Sequence, residues 1–409
     1  MTAKGIWRSA LWITLALVCG GADQCELATS TNHQLVVGRG YTDVSPHQLV
    51  RTSANVIYTV APDCASYPTC PNNAIHVFKA KAAGTPTGFT EKDAAHAPSG
   101  GVGSPAVGID GSDRIHVIWN KSTGTTKYSV FDTTTDTWGT NEVLGSSGWT
   151  DFTQGQEGTA LAIDATGIPH AVWTQRSGPN NSFRLVYQRR LSSGWETPID
   201  VADVVDCNPP SSYCSAWHPT LAFAPNGTLW LAWLNGTEDY VPDGRIRARK
   251  RKASGEWKPS KEIPDNAMTG LDNGPSMIIT PDGTVHLTFD DTKNHIRYWY
   301  RAGSGWMGDQ QPPSQVTHDP SLGTNMSGKI YIYGHGTPQG GIGGHGDNMD
   351  YFAKPAGGAW GAWTVYDANP NVDSSVSTRW SQFFFYHPEN VDILYWNDNY
   401  PNVLYAGIN

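Results

Sequence analysis

Residues 275–306, PSMIITPDGTVHLTFDDTKNHIRYWYRAGSGW, decide the fold, because the rest of the chain repeats them. A short apolar run (Met277, Ile278, Ile279) ends at a tight turn, Pro281-Asp282-Gly283. An alternating run follows, Val285-His286-Leu287-Thr288-Phe289. A polar loop leads to a third run, Ile296-Arg297-Tyr298-Trp299-Tyr300, and Gly305-Trp306 opens a fourth. Alternation with a period of two, β-branched and aromatic residues and Asp-Gly turns predict four antiparallel strands.

Working outward, the same pattern recurs. QLVRT, VIYTV, AIHVFKAK and a strand near Phe89 form a first unit. SPAVGIDGSDRIHVIW, TKYSVF and Trp138 form a second, and TALAIDATGIPHAVW, RLVYQRR and Gly194-Trp195 a third. HPTLAFAPNGTLWLAW, RIRARKRK and Glu256-Trp257 form a fourth, and the opening stretch is the fifth. A sixth unit reads GKIYIYG, GIGGHGD, MDYFAK and AWGAW. A seventh reads WSQFFFYH, VDILYW and VLYAGI, and stops after three strands. Unit starts near residues 47, 104, 159, 219, 275, 327 and 379 have the spacing of propeller blades. The spare run HQLVVG, from His33, can supply the missing strand and remove the free sheet edges. The fold expected is therefore all-β: a seven-bladed β-propeller of four-stranded antiparallel blades, closed by the N-terminal strand. A long β-solenoid is the alternative, but it leaves the spare strand unexplained.

Composition agrees. Among 409 residues, 44 are Gly, 27 Pro and 17 Trp, and only 16% are charged. A net charge of −9 argues against a nucleic-acid-wrapping surface. Lys4 and Arg8, the apolar run Ala10 to Cys19 and the small residues Gly20-Gly21-Ala22 read as an export signal over residues 1–22, too short to span a bilayer. Residues 23–32 would be a flexible tail and 33–409 one propeller domain. The expected product is secreted or periplasmic, monomeric and without a membrane span. Cys64 with Cys70, and Cys207 with Cys214, have spacings suited to loop-closing disulfides, and neither pair has zinc-knuckle spacing. Sequons occur at Asn120, Asn180, Asn226, Asn235 and Asn325.

The recurrent His116, His170 and His286 share their position with Trp230 and Tyr331, which points to packing between blades. The tryptophans at 138, 195, 257 and 306 read as outer-strand packing. Function in such a fold lies where the long loops between strands two and three meet the linkers between blades. The linkers bring Glu157, Trp217, His218, Asp272, Asn273, Asn325 and Arg379 to that mouth. The loops bring Trp173, Gln175, Arg176, Asn235, Asp290, Asp291, His345, Trp396 and Asp398. Aromatic rings stack on sugar faces, while carboxylates, amides and guanidinium groups bind hydroxyls and carboxylates, so the mixture suits a carbohydrate.

The unit P-[AS]-x-x-x-D-x-x-G-x-[IV]-H-[VL]-x-[WF], then [IL]-x-Y and G-x-W, resembles the repeats of secreted bacterial propellers of the sialidase-like (BNR-type) superfamily. That group includes sialidases, propeller-type polysaccharide lyases and fucose-type lectins. The resemblance implies the fold over nearly the whole mature chain. A sialidase would need an arginine triad, where only Arg176 and Arg379 are placed at the mouth, and SxDxGxTW boxes, which no segment here matches. A lyase acting on a uronate-containing glycan by β-elimination needs a base, for which His218 or His345 qualifies. Arg379 or Arg176 would neutralise the carboxylate, and Trp217 or Trp396 would be the sugar platform. A hydrolase would pair Glu157 with Asp290 or Asp291, and a non-catalytic lectin is the third reading. The mouth residues differ from unit to unit, which favours one asymmetric catalytic site. No cofactor is demanded, although the acidic loops could take a structural Ca²⁺.

Overall fold

The computed structural model describes residues 34–37, 48–63, 74–92 (without 84–86), 105–146 (without 122), 158–177 and 182–202. It further describes 214–237, 244–264, 274–308 (without 292–294), 317–336 (without 326), 348–367 (without 363), 376–378, 391–397 and 402–408. The export signal, the tail, Cys64, Cys70 and Cys207 lie outside these residues, and Cys214 is placed through its backbone in a strand.

The chain is an all-β propeller of small antiparallel blades. Six blades follow one another in sequence, each running from its first strand outward. Blade 1 holds Leu49–Arg51, Ile57–Asp63, Ala74–Ala80 and Phe89–Glu91; blade 2 holds Ala106–Ile109, Ile115–Lys121, Thr125–Asp132 and Glu142–Ser146. Blade 3 comprises Thr159–Ile163, Pro169–Ser177, Ser182–Leu191 and Gly194–Trp195; blade 4 comprises Cys214–Phe223, Leu229–Thr237, Arg245–Arg251 and Lys261–Glu262. Blade 5 is Ser276–Ile279, Val285–Asp290, Ile296–Arg301 and Met307–Gly308; blade 6 is Thr317–Thr324, Ile330–Gly336, Asn348–Lys354 and Thr364–Asp367. The two chain ends form a further four-stranded sheet, described through its backbone, in the order Val376–Thr378, Val391–Asn397, Asn402–Ile408 and Gln34–Val37. In it the N-terminal run pairs antiparallel with the last strand, Gln34 opposite Tyr405 and Leu35 opposite Leu404.

One unit boundary differs from the sequence reading. The first strand of blade 6 is Thr317–Thr324, THDPSLGT, and GKIYIYG supplies the second strand, not the first. The signal was missed because this strand is polar, with Leu322 its one large apolar residue. The last sheet likewise begins at Val376–Thr378, ahead of WSQFFFYH, which lies outside the described residues.

Hydrophobic burial sits between blades. One cluster joins Trp217, Leu234 and Ile246 of blade 4 to Met277, Leu287 and Phe289 of blade 5. Others join blades 1 and 2 through Tyr58, Val77, Val107 and Trp119, and blades 5 and 6 through Ile278, Tyr298, Ile332 and Phe352. Blades 2 to 5 therefore each bury both faces, and their inner strands read as nearly continuous apolar runs.

The recurrent histidine has a defined job. His116 Nδ1 lies 2.6 Å from the Tyr128 hydroxyl, and His170 and His286 repeat this with Tyr187 at 2.7 Å and Tyr298 at 2.6 Å. The other ring nitrogen faces the residue that starts the tight turn between strands one and two. Asp110 Oδ2 is 3.2 Å from His116 Nε2, and Thr280 Oγ1 is 3.1 Å from His286 Nε2. Edge contact with the next blade completes the packing, as in His170 against Phe223 at 4.9 Å. In blade 4, Trp230 stands at the histidine position and Ala248 at the tyrosine position, so one large ring fills the space of two. The outer-strand tryptophans also reach across: Trp195 meets Tyr128, Trp257 meets Tyr187, Trp306 meets Trp230 and Trp360 meets Tyr298, all edge-on at 4.9–6.0 Å.

Candidate functional site

Antiparallel order places the linkers and the strand two–three loops on one face, and the turns between strands one and two and between three and four on the other. On the first face the most unusual residue is His218. The first strand of blade 4 bulges between Trp217 and Thr220, and His218 within the bulge has φ 50°, left-handed for a residue that carries a Cβ. The Pro219 that follows disfavours ordinary helical backbone at His218. Glycines of the two neighbouring blades make room for it. A Cβ on Gly274 would stand 2.3 Å from the His218 Cβ, and one on Gly158 would stand 2.3 Å from Pro219 Cδ. His218 is thus wedged between the inner-strand entries of blades 3 and 5, with 2% of its surface exposed.

The other expected mouth residues divide into three groups. Trp173 and Trp217 are each 1% exposed: Trp173 Nε1 donates to the Ser146 carbonyl at 3.4 Å, and Trp217 packs on Phe183 at 5.6 Å. Neither indole offers a face to solvent, so the platform role expected of Trp217 does not fit its position. Gln175 is held on both sides, its Nε2 donating to Ser146 at 2.7 Å and its Oε1 accepting from Arg184 at 2.8 and 3.0 Å. Arg176, next to it, is exposed. Asp291 is buried in a brace of its own loop, where Oδ2 accepts from Arg297 at 2.6 and 3.0 Å and Oδ1 from the His295 amide at 2.9 Å. That carboxylate is committed to its loop, which fits poorly with a share in paired-carboxylate hydrolysis.

Asn325 is a correction. It starts the strand one–two turn of blade 6, on the opposite face, where its Oδ1 accepts from Ser327 N, Ser327 Oγ and Lys329 N at 2.7–3.1 Å. Its place matches Asp110 and Asp164, and the misplaced first strand caused the error. Asp290 and Trp396 lie in strands described through the backbone. Glu157, Asn273, His345, Arg379 and Asp398 lie outside the described residues. Of the sequons, Asn120, Asn235 and Asn325 are buried.

The opposite face carries a feature the sequence reading passed over. Beside Trp195, Trp257, Trp306 and Trp360 stands a cation over the ring of the preceding blade. Arg190 lies 5.9 Å from the Tyr128 centroid, Arg251 5.7 Å from Tyr187, Arg301 5.4 Å from Trp230 and Lys354 5.5 Å from Tyr298. The signal was legible, since each cation precedes its tryptophan by five or six residues. Between blades 5 and 6 this face opens into a cavity of about 480 Å³, lined by Asp282, Thr284, Tyr300, Ser327 and Lys354 among others. No group of three or more metal-ligating side chains occurs among the described residues.

No family model and no curated protein matches the chain. Solved structures do. The BP39L lectin from Burkholderia pseudomallei superposes with a TM-score of 0.64 at 11% identity, over 91% of this chain and 96% of the lectin. A PL25 polysaccharide lyase, an ulvan lyase, gives 0.56 at 12% identity over 91% and 93%. The α-L-arabinofuranosidase Arb93A from Fusarium graminearum gives 0.51 at 15% over 80% and 98%. Likeness at these identities concerns the fold, and the activities are those of the matched proteins.

Proposed function

We propose that this chain is an exported carbohydrate-active propeller, a polysaccharide lyase that cleaves a uronate-containing glycan by β-elimination at the face where linkers and long loops meet. One observation carries the reading: His218 is held in left-handed backbone, inside a bulge, with Gly274 closely against its Cβ and Gly158 against Pro219. Strained backbone of this kind persists where a side chain must be aimed, and it costs about 1–3 kcal/mol. The other three buried repeat histidines spend a ring nitrogen on a tyrosine inside their own blade. His218 stands outside that scheme, at the end of an inner strand. In this role its imidazole, 2% exposed and so reached only when the inner-strand entries of blades 3 and 5 move apart, removes the proton beside the uronate carboxylate, with Arg176 and Arg379 as the cations that neutralise the acid group. Glycan-acting and glycan-binding proteins on the same fold agree with the substrate class. Export follows from the N-terminal segment, and among the described residues no helix is long and apolar enough to cross a membrane. In the same reading the terminal sheet closes the six blades into a ring of seven.

The test incubates mature protein with uronate-containing and neutral polysaccharides and follows the ultraviolet absorbance of an unsaturated uronate. A rise on acidic substrates, cut about 100-fold or more in His218→Ala and His218→Gln, supports the lyase. New reducing ends without that absorbance would overturn it in favour of a hydrolase, and binding without turnover in favour of a lectin.

A further inference from the structure

We infer that the groove between blades 5 and 6 is a second glycan site, on the face opposite His218, that takes a pyranose unit carrying a carboxylate or sulfate. The inference stands on the groove itself and does not depend on the lyase reading. Its volume, about 480 Å³, is in the range of small-ligand pockets and leaves room for a sugar ring. One wall is Tyr300, half-buried, at the position held by Val130, Arg189 and Lys250 in blades 2, 3 and 4. Of these four positions only Tyr300 carries an aromatic ring, the surface on which the apolar face of a pyranose stacks. Thr284, Ser327 and the Asp282 carboxylate line the rim; the two hydroxyls donate to Asp282 and Asn325 and keep acceptor lone pairs for sugar hydroxyls.

The charge comes from Lys354. Its ammonium lies 5.5 Å from the Tyr298 centroid and 5.6 Å from those of Tyr300 and Trp360, so three rings surround it. Burial lowers its pKa, the direction that an arriving anion reverses. The equivalent cations of blades 3 and 5 have partners of their own. Arg190 is gripped by Glu142, which also accepts from Trp195 Nε1 at 2.8 Å, and Arg301 donates to the Ser304 carbonyl at 2.5 Å. Blade 5 also departs from its neighbours at the turn. Thr280 replaces the aspartate that starts the turn in blades 2 and 3, and the carboxylate appears two residues on, as Asp282, at the groove wall.

Glucuronate, galacturonate, glucose 6-sulfate and glucose would be titrated into the full-length mature protein, with binding read by NMR or calorimetry. The acidic sugars should bind at least tenfold tighter than glucose. Lys354→Met and Tyr300→Ala should each weaken them at least tenfold, while Lys354→Arg keeps part of the affinity and unchanged melting shows intact folding. His218→Gln should leave this binding unaltered, which separates it from the catalytic reading. Preference for the carboxylate or the sulfate sugars names the natural charge. Absent binding, equal binding of glucose, or acidic-sugar affinity that survives both Lys354→Met and Tyr300→Ala would overturn the inference.

Discussion

At the scale of single residues, packing around His218 leaves no slack. A Cβ at Gly274 would come within 2.3 Å of the His218 Cβ, which is fixed to the backbone and cannot swing aside. Gly274→Ala should therefore destabilise by about 1–3 kcal/mol in urea unfolding. If His218 is the base, kcat should fall further than stability alone explains. A variant as stable and as active as the parent would show that the wedge is not tight. The buried repeat histidines make a separate, pH-dependent prediction. Burial pushes His170 and His286 down to about 4, and His116 is lowered by the same cause. In the unfolded chain these rings titrate near 6.5, so between about pH 6.5 and 4 the unfolded state binds the extra protons. Stability should be complete above that window and fall with pH inside it, by up to about 1.4 kcal/mol per pH unit per histidine. Asp110 acts in the same direction at lower pH: burial would raise it, but hydrogen bonds from His116, Arg114 and Ser112 hold it well below the carboxylate range. Its contribution is lost only at still lower pH. Urea titrations at several pH values check the window, and His286→Gln should flatten the slope. An unchanged slope in that variant would assign the effect elsewhere.

At the scale of the element, the blades solve one packing problem in two ways. Blades 2, 3 and 5 fill the space behind the strand one–two turn with a histidine and a tyrosine joined by a hydrogen bond. Blade 4 fills it with Trp230 over Ala248. Ala248→Tyr alone should overpack the blade 4 site and cost about 1–3 kcal/mol. The double change Trp230→His with Ala248→Tyr should recover most of that loss, giving a coupling energy of about 1 kcal/mol or more in a double-mutant cycle. Additive effects would mean that the two positions do not share one space. This pairing was half legible in the sequence: exchange of histidine with tryptophan pointed to packing, but the tyrosine partner lies on another strand and only pairing in space reveals it. Strands with alternating apolar residues were legible throughout, including the spare N-terminal run. The polar THDPSLGT was not, because its burial comes from neighbours and not from its own side chains, and Asn325 was misplaced with it. Trp173 and Trp217 misled for a related reason. A tryptophan at a loop boundary can face a sugar or the next blade, and the sequence carries no mark of which.

At the scale of the whole molecule, the chain ends are tied to each other, and the last prediction belongs here. Gln34–Val37 pairs with Asn402–Ile408 and also lies against strands of blade 1. This short strand thus touches the sheet that ends the chain and the blade that begins the series. Ladder hydrogen bonds between chain ends that are hundreds of residues apart resist the splaying of the first blade from the last sheet. Removing them exposes the edge of Asn402–Ile408, a template for pairing with another copy. Two truncations separate this role from that of the preceding segment. A chain starting at residue 33 should melt like the mature protein, since it keeps the strand. A chain starting at residue 38 should melt lower by several degrees, about 2–4 °C for each kcal/mol lost in a protein of this size or somewhat less. It should also aggregate on heating. Adding a peptide of residues 33–38 should restore part of the loss by pairing with the open edge. Equal melting of the two truncations would show that the N-terminal strand is a passive ornament on a ring held shut by its blade interfaces alone.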